Sequence, residues 1–353
     1  MKRAIQILVS LVISGLALWL TLRGKDLGAI WVEMRAADYR YLLAYLPVLL
    51  AIHLARTVRW GLLLRPVAKI PFARLNAVSA VGLMGLSLLP FRLGEFTRPI
   101  LIAERPTLRT SAALSSIVVE RAADGVFTGL VLVLALLGLP DGTPGIRILR
   151  VGGVLVTGAF AAAIVFLVFA YRSRAAAVSL TARLLRPISA KAAVRVSGML
   201  DAFIHGLRVL PNGRSVVAFF GLTAAYWTMN AFGMALLAAG FGFRLGVLEA
   251  CILLGVLVVG IMIPAGPGMI GTFQGAIAVG LSLIAPAEAV ATRGVAYANV
   301  LWAANLGQVT ALGLIFLFSP YVKVARLFGA GHELAEELDE EETEYRAAGD
   351  GGR

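Results

Sequence analysis

The sequence predicts an all-α polytopic membrane protein with about six to eight transmembrane helices and two re-entrant hairpins in an inverted-repeat arrangement. Three observations lead there. Of the 353 residues, 59% are apolar and only 15% charged, where a soluble domain carries roughly a quarter charged. The mean hydropathy is +0.86. The apolar residues also gather into runs, several of them close to the ~20 residues that cross a bilayer, with Lys and Arg concentrated between them.

Each run can be assigned in turn. Ala4–Leu22 follows Lys2 and Arg3, and no small-x-small cleavage site follows it, so it reads as an uncleaved first span rather than a signal peptide. Tyr41–Leu64, Ala112–Leu139, Val151–Tyr171, Val216–Phe243 and Val295–Phe318 read as the other five spans. Two stretches are too short or too broken. Leu75–Leu89 runs into Pro90-Phe91-Arg92-Leu93-Gly94-Glu95 and a weakly apolar stretch to Ala103. Val247–Ile263 runs into Pro264-Ala265-Gly266-Pro267-Gly268 and then Gly275–Ile284. Irregular backbone at membrane depth needs protein or water around it, which makes both stretches hairpins of half-helices. Counting every run as a span gives eight, but that puts the basic segment Arg172–Arg214 outside.

Charge orients the chain. With both termini cytoplasmic, Lys2, Arg3, Arg65, Lys69, Arg74, Arg105, Arg109, the eight basic residues from Arg172 to Arg214, Lys323 and Arg326 all lie inside. Outside remain Arg23, Lys25, Arg35 and Arg40, diluted by Asp26, Glu33 and Asp38, together with Arg147, Arg150, Arg244 and Arg293. This is the positive-inside pattern of a cell (inner) membrane protein. The two hairpins then open from opposite sides, the signature of an inverted-repeat transporter site. Residues 1–330 form one integral-membrane domain. Within it, 174–210 alternates basic and apolar residues as an interfacial amphipathic helix does. Residues 331–353 form an acidic tail read as disordered and cytoplasmic, with eight acids in the twelve positions Glu333–Glu344.

Composition also excludes. Cys251 is the one cysteine, so no disulfide forms within a chain, and His53, His205 and His332 stand at no metal-ligand spacing. No cofactor and no metal are expected. The net charge is +12, and residues 1–331 hold 30 basic and 11 acidic groups, a balance of +19. In a membrane chain that excess points to anionic lipid rather than nucleic acid.

The informative residues are those costliest to bury. Glu120, Arg121 and Asp124 lie in the helix starting near Thr110. At 1.5 Å per residue, Glu120 is about 15 Å deep, near the bilayer midplane. Ser116, Glu120, Asp124 and Thr128 recur every four residues and make a polar stripe. Ionised groups there need partners or water, which allows an internal ion-pair lock or a polar pathway. Arg92, Glu95 and Arg98 surround the first hairpin's tip, where a guanidinium fork suits phosphate oxygens; interfacial snorkelling is the plainer alternative. Arg56, Arg59 and Trp60 close the second span, either as interface anchors or as a lipid-phosphate contact. Gly268, Gly271, Thr272 and Gln274 follow the second hairpin's tip, where glycines expose backbone N–H groups to an anion. Without a lysine the loop is no Walker motif. Asn230, Asn305 and Gln308 read as helix–helix glue.

Taken in order, four segments resemble the integral-membrane, flippase-like domain of the lysylphosphatidylglycerol synthase/flippase family, in a stand-alone form. They are Arg56-x-x-Arg59-Trp60; Asn76 with Leu89-Pro90-Phe91-Arg92-Leu93-Gly94-Glu95-x-x-Arg98; Ser115-Ser116-x-x-x-Glu120-Arg121-x-x-Asp124; and Pro264-x-x-Pro267-Gly268-x-x-Gly271-Thr272-Phe273. The resemblance spans about residues 1–325. It implies translocation of a phospholipid, an aminoacylated lipid or a lipid-linked sugar, and it adds Asn76 to the substrate-binding set. The family's last motif usually ends in glutamate, and here Gln274 stands there. Any carboxylate role falls instead to Glu95, Glu120 and Asp124. The sequence ends where the synthase proteins continue into an aminoacyl-transfer domain, so lipid lysylation is not expected, and no nucleotide, metal or nucleophile motif marks an enzyme. Expected partners are membrane lipids, an anionic phospholipid or a lipid-linked substrate, with a homo-oligomer or a partner enzyme left open. The alternative function is a non-catalytic accessory subunit of lipid or cell-surface polysaccharide synthesis; a structural scaffold is the third reading.

Overall fold

The computed structural model describes residues 12, 15–89, 94–103, 108–142, 146–187, 213–262 and 266–323, and its elements are helices. The helical residues 15–22 belong to the first apolar run; the rest of that run lies almost wholly outside the described residues. The chain continues through α1 (Leu27–Ala36), α2 (Arg40–Leu64), α3 (Phe72–Leu88), α4 (Thr97–Ile102), α5 (Thr110–Leu137), α6 (Ile146–Arg172), α7 (Arg174–Leu185), α8 (Gly213–Ala239), α9 (Val247–Ile261), α10 (Thr272–Ser282) and α11 (Val295–Leu317). Helix α1 was not anticipated; Asp26 caps it, its carboxylate accepting from the Ala29 N–H at 3.0 Å.

Four helices are long and apolar enough to cross a membrane: α2, α6, α8, and α11 with the turns that lead into it from Ala287. The 28-residue α5 is longer than any of these except the last, but Glu120, Arg121 and Asp124 sit within it. Helices α3 and α9 have 17 and 15 residues, about 25 and 22 Å, short of the ~30 Å hydrocarbon core. Each folds back on a shorter helix, α3 on α4 and α9 on α10. Glycine permits the first return: a Cβ at Gly94 would stand 2.0 Å from the backbone of Gly85 and Leu86. In the second, a Cβ on Gly260 would stand 2.4 Å from that of Ala276.

The order long helix, hairpin, long helix thus occurs twice: α2, α3/α4, α5 and then α8, α9/α10, α11. The packing is reciprocal. The leading spans α2 and α8 pack together; α3 of the first hairpin packs on α11, and α9 of the second on α5. Each return helix packs on the long helix that follows it, α4 on α5 and α10 on α11. Tyr45, Leu237, Leu253, Ile277, Tyr297 and Leu301 lie in the core around the second hairpin. Trp60, Val78, Leu101, Ala113 and Ile117 lie in the core around the first. Leu132, Leu136, Ile252 and Val256 join the halves. Of the interfacial segment 174–210, α7 and the two residues after it are described. Its remainder and the tail 331–353 lie outside the described residues.

Candidate functional site

Helix α5 builds the floor of the site. Its four-residue polar spacing turns Ser116, Glu120, Asp124 and Thr128 to one face, and all four are buried, Glu120 completely. Thr128 donates back to the Asp124 carbonyl at 2.7 Å, which lets a hydroxyl sit on an inward face without an orphaned proton.

Helix α2 brings Arg59 and Trp60 onto that floor. Both have zero exposure, so they are not interface anchors: the helix turns its cation inward, toward carboxylates, instead of outward to headgroups. Arg59 donates through Nη2 to Glu120 Oε1 and to Asp124 Oδ2, both at 2.9 Å, and through Nη1 to Asp124 Oδ1. Tyr226 and Phe219 of α8 lie 4.9 and 5.6 Å from its guanidinium carbon. Trp60 Nε1 donates to Ser116 Oγ at 2.9 Å.

The first hairpin delivers Arg98 from α4. Its Nη2 reaches Glu120 Oε2 at 3.1 Å, and its guanidinium carbon lies 4.2 Å from the Trp60 ring centroid. Glycine makes the room, since a Cβ on Gly82 would stand 2.1 Å from Arg98 Cγ. Arg121 Nη2 donates to Glu120 Oε1 at 2.8 Å and lies 3.2 Å from Asp124 Oδ2. Arg56 Nε lies 3.5 Å from Glu120 Oε1. Glu95, at the hairpin tip, adds negative charge acting on Arg121. Asn76 of α3 pairs through Oδ1 with His53 Nε2 at 3.0 Å, tying α3 to α2 beside the cluster.

Four guanidiniums (Arg56, Arg59, Arg98, Arg121) therefore gather around Glu120 and Asp124, and even with the nearby charge of Glu95 counted the described residues carry a surplus of one positive charge. Buried Nε–H groups of Arg56, Arg59 and Arg98 find no hydrogen-bond acceptor among those residues. A buried cluster with surplus positive charge and idle donors has the chemistry to take up an anion.

Three of the four sequence motifs converge here. Arg92 lies outside the described residues. The fourth motif stands apart and serves the second hairpin. Gly268 and Gly271 take φ of +73° and +85°, which glycine alone adopts without strain. Trp302 Nε1 donates to the Gly268 carbonyl at 2.6 Å. Thr272 Oγ1 donates to the Met269 carbonyl at 3.0 Å. The Gln274 amide oxygen accepts from the Gly271 N–H at 2.8 Å, and its nitrogen lies 3.4 Å from Asn299 Oδ1. Gln274 thus caps α10, a task for an acceptor oxygen rather than a charge. The 3₁₀ turn Pro267–Met269 touches α3, so the second hairpin's tip reaches the first hairpin. Asn305 bridges α11 to the Tyr45 hydroxyl at 3.1 Å, the glue role expected of it.

Sequence reasoning missed the α8 wall. Trp227 Nε1 donates to Asp124 Oδ1 at 3.0 Å, and Thr223 Oγ1 lies 3.4 Å from Arg59 Nη1. Their i, i+4 spacing beside Tyr226 in an otherwise apolar span was the available signal.

Compared with known families, residues 7–313 match the model of the lysylphosphatidylglycerol synthase transmembrane region. No curated protein and no solved structure matches the chain.

Proposed function

The chain belongs to the family of the lysylphosphatidylglycerol synthase transmembrane region, and from that premise we propose that it moves a lipid between leaflets, holding the lipid phosphate on buried arginines. The observation that carries this reading is the surplus of guanidinium over carboxylate around Glu120. Arg59, clamped by two carboxylates and walled by α8, is the fixed part. Arg98 holds Glu120 through its Nη atoms while its Nε–H stays idle, and Arg56 stands 3.5 Å from Glu120 without a hydrogen bond through its Nε–H among the described residues; both turn to an arriving phosphodiester, and Arg92, between α3 and α4 in sequence, is the further contact expected for it. Glu95, Glu120 and Asp124 face a cationic or hydroxylated headgroup. The substrate class is a phospholipid, an aminoacylated lipid or a lipid-linked sugar. Movement runs downhill or is coupled to an ion. The two hairpins are re-entrant from opposite faces of the inner membrane, with both termini cytoplasmic, and the reciprocal packing of the two halves supports that inverted arrangement.

The test is leaflet exchange in liposomes of the purified protein, read by dithionite quenching of fluorescent phospholipids. Each charge-assisted contact to phosphate contributes about 1.5–3 kcal/mol, so Arg98→Gln slows exchange by roughly ten- to a hundredfold. Unchanged exchange in a folded Arg98→Gln protein removes this cluster from the path. No exchange with any anionic, aminoacylated or glycosylated lipid makes the protein an accessory subunit instead.

A further inference from the structure

The loop between α2 and α3 encloses a cavity of about 600 Å³ that the buried cluster does not use. Its walls are mixed. Val58, Leu62, Phe72 and Leu75 give an apolar side, while Arg65 and Lys69 stand exposed at its edge. Val58 and Phe72 are 41% and 51% exposed, so among the described residues no helix seals the apolar side. Among the described residues neither Arg65 nor Lys69 has an ion-pair partner. The 25-residue α2 rises about 37 Å, so the loop after it sits at the level of lipid headgroups when α2 crosses the bilayer.

We propose that this cavity is a binding site for one anionic phospholipid, separate from the translocation path, with its phosphate on Arg65 and Lys69 and an acyl chain along Val58, Leu62 and Phe72. Charge complementarity selects the headgroup, and the apolar wall distinguishes a lipid from free phosphate. A basic pocket between helices at a membrane face is suited to such a ligand. The volume lies within the range of small-ligand sites. The site does not depend on transport: a protein that fails to exchange lipid still binds here.

The experiment is native mass spectrometry of the full chain in detergent, titrated with phosphatidylglycerol, phosphatidylcholine or inorganic phosphate. Phosphatidylglycerol should bind at least tenfold more tightly than phosphatidylcholine, and inorganic phosphate should not displace it. Losing two surface cations weakens such binding about thirtyfold, so the double variant Arg65→Gln/Lys69→Gln should lose the tight adduct. Exchanging the two cations, Arg65→Lys/Lys69→Arg, should keep it, and Arg183→Gln, which removes an exposed charge on α7, should leave it unchanged. An adduct retained in Arg65→Gln/Lys69→Gln, equal affinity for phosphatidylcholine, or displacement by inorganic phosphate overturns the proposal.

Discussion

Replacing Glu120 by glutamine keeps the shape of the side chain and removes one charge from the centre of the cluster. In the native protein that carboxylate takes Arg59 at 2.9 Å, Arg98 at 3.1 Å, Arg121 at 2.8 Å and Arg56 at 3.5 Å, with no exposure to solvent. Breaking a buried ion pair from one side costs about 3–5 kcal/mol, because the abandoned charge stays buried. Here the surplus of positive charge rises from one to two, so Glu120→Gln should destabilise by about that amount. Arg98→Gln acts in the opposite electrostatic sense, lowering the surplus to zero. It forfeits its hydrogen bonds to Glu120 and its stacking on Trp60, and should cost only about 1 kcal/mol after that relief. The double variant returns the surplus to one. Its loss should fall short of the sum of the single losses by at least about 1.5 kcal/mol, within the range measured for contacting residues. Reversible unfolding in mixed micelles, titrated with denaturing detergent, measures all four proteins. A Glu120→Gln protein within about 1 kcal/mol of wild type, or strictly additive losses, would refute the charge accounting.

Gly94→Ala drives a Cβ into the backbone of Gly85 and Leu86 and should destabilise by more than the ~1–3 kcal/mol of ordinary overpacking, visible in the same unfolding titration. Trp227→Phe keeps the ring packing but removes the donor to Asp124; a loss of about 1–3 kcal/mol is expected, and a loss within error would show that Arg59 and Arg121 satisfy Asp124 alone. Cysteines placed at Phe96 and Met262, both exposed near the hairpin tips, in a Cys251→Ala background should react with impermeant maleimide from opposite sides of the membrane. Labelling of both from one side contradicts the inverted arrangement.

The helical segments were legible because apolar run length is set by membrane thickness. The run Tyr41–Leu64 emerges as α2 with one residue added, and Val216–Phe243 as α8 shifted by a few residues. Glu120 was legible because the four-residue polar spacing along one helix puts it on a shared face, and that face is buried. Arg59 was half legible: composition near a helix end cannot tell an anchor from a buried cation, since the difference lies in which face α5 presents to it. Trp227 was invisible for the same reason. It lies 103 residues from Asp124 in sequence, and only the packing of α8 against α2 and α5 joins them. Gln274 shows the converse. Its departure from the family's glutamate looked like a lost charge, whereas the geometry asks that position only for an acceptor oxygen to cap α10.

A buried ion-pair network is weak grounds for stability, because well-packed apolar residues of the same volume serve as well or better. If the α2–α4–α5 junction were only a structural lock, balanced charges with every donor engaged would suffice. Among the described residues the junction instead holds one guanidinium more than it has carboxylates, and Arg56, Arg59 and Arg98 each keep a buried Nε–H without an acceptor. Glycine stands at position 82 beside Arg98, at a conformational cost to α3, and leaves that side chain its space. The surplus charge and the idle donors weaken the resting protein, and on the proposed reading an entering anion relieves both. The relief has a measurable sign: a bound phosphodiester should raise the stability of the native protein more than that of Arg98→Gln, by the ligand linkage that any native-state binder obeys. Equal stabilisation of the two proteins by a lipid that both demonstrably bind would leave Arg98 a structural residue alone.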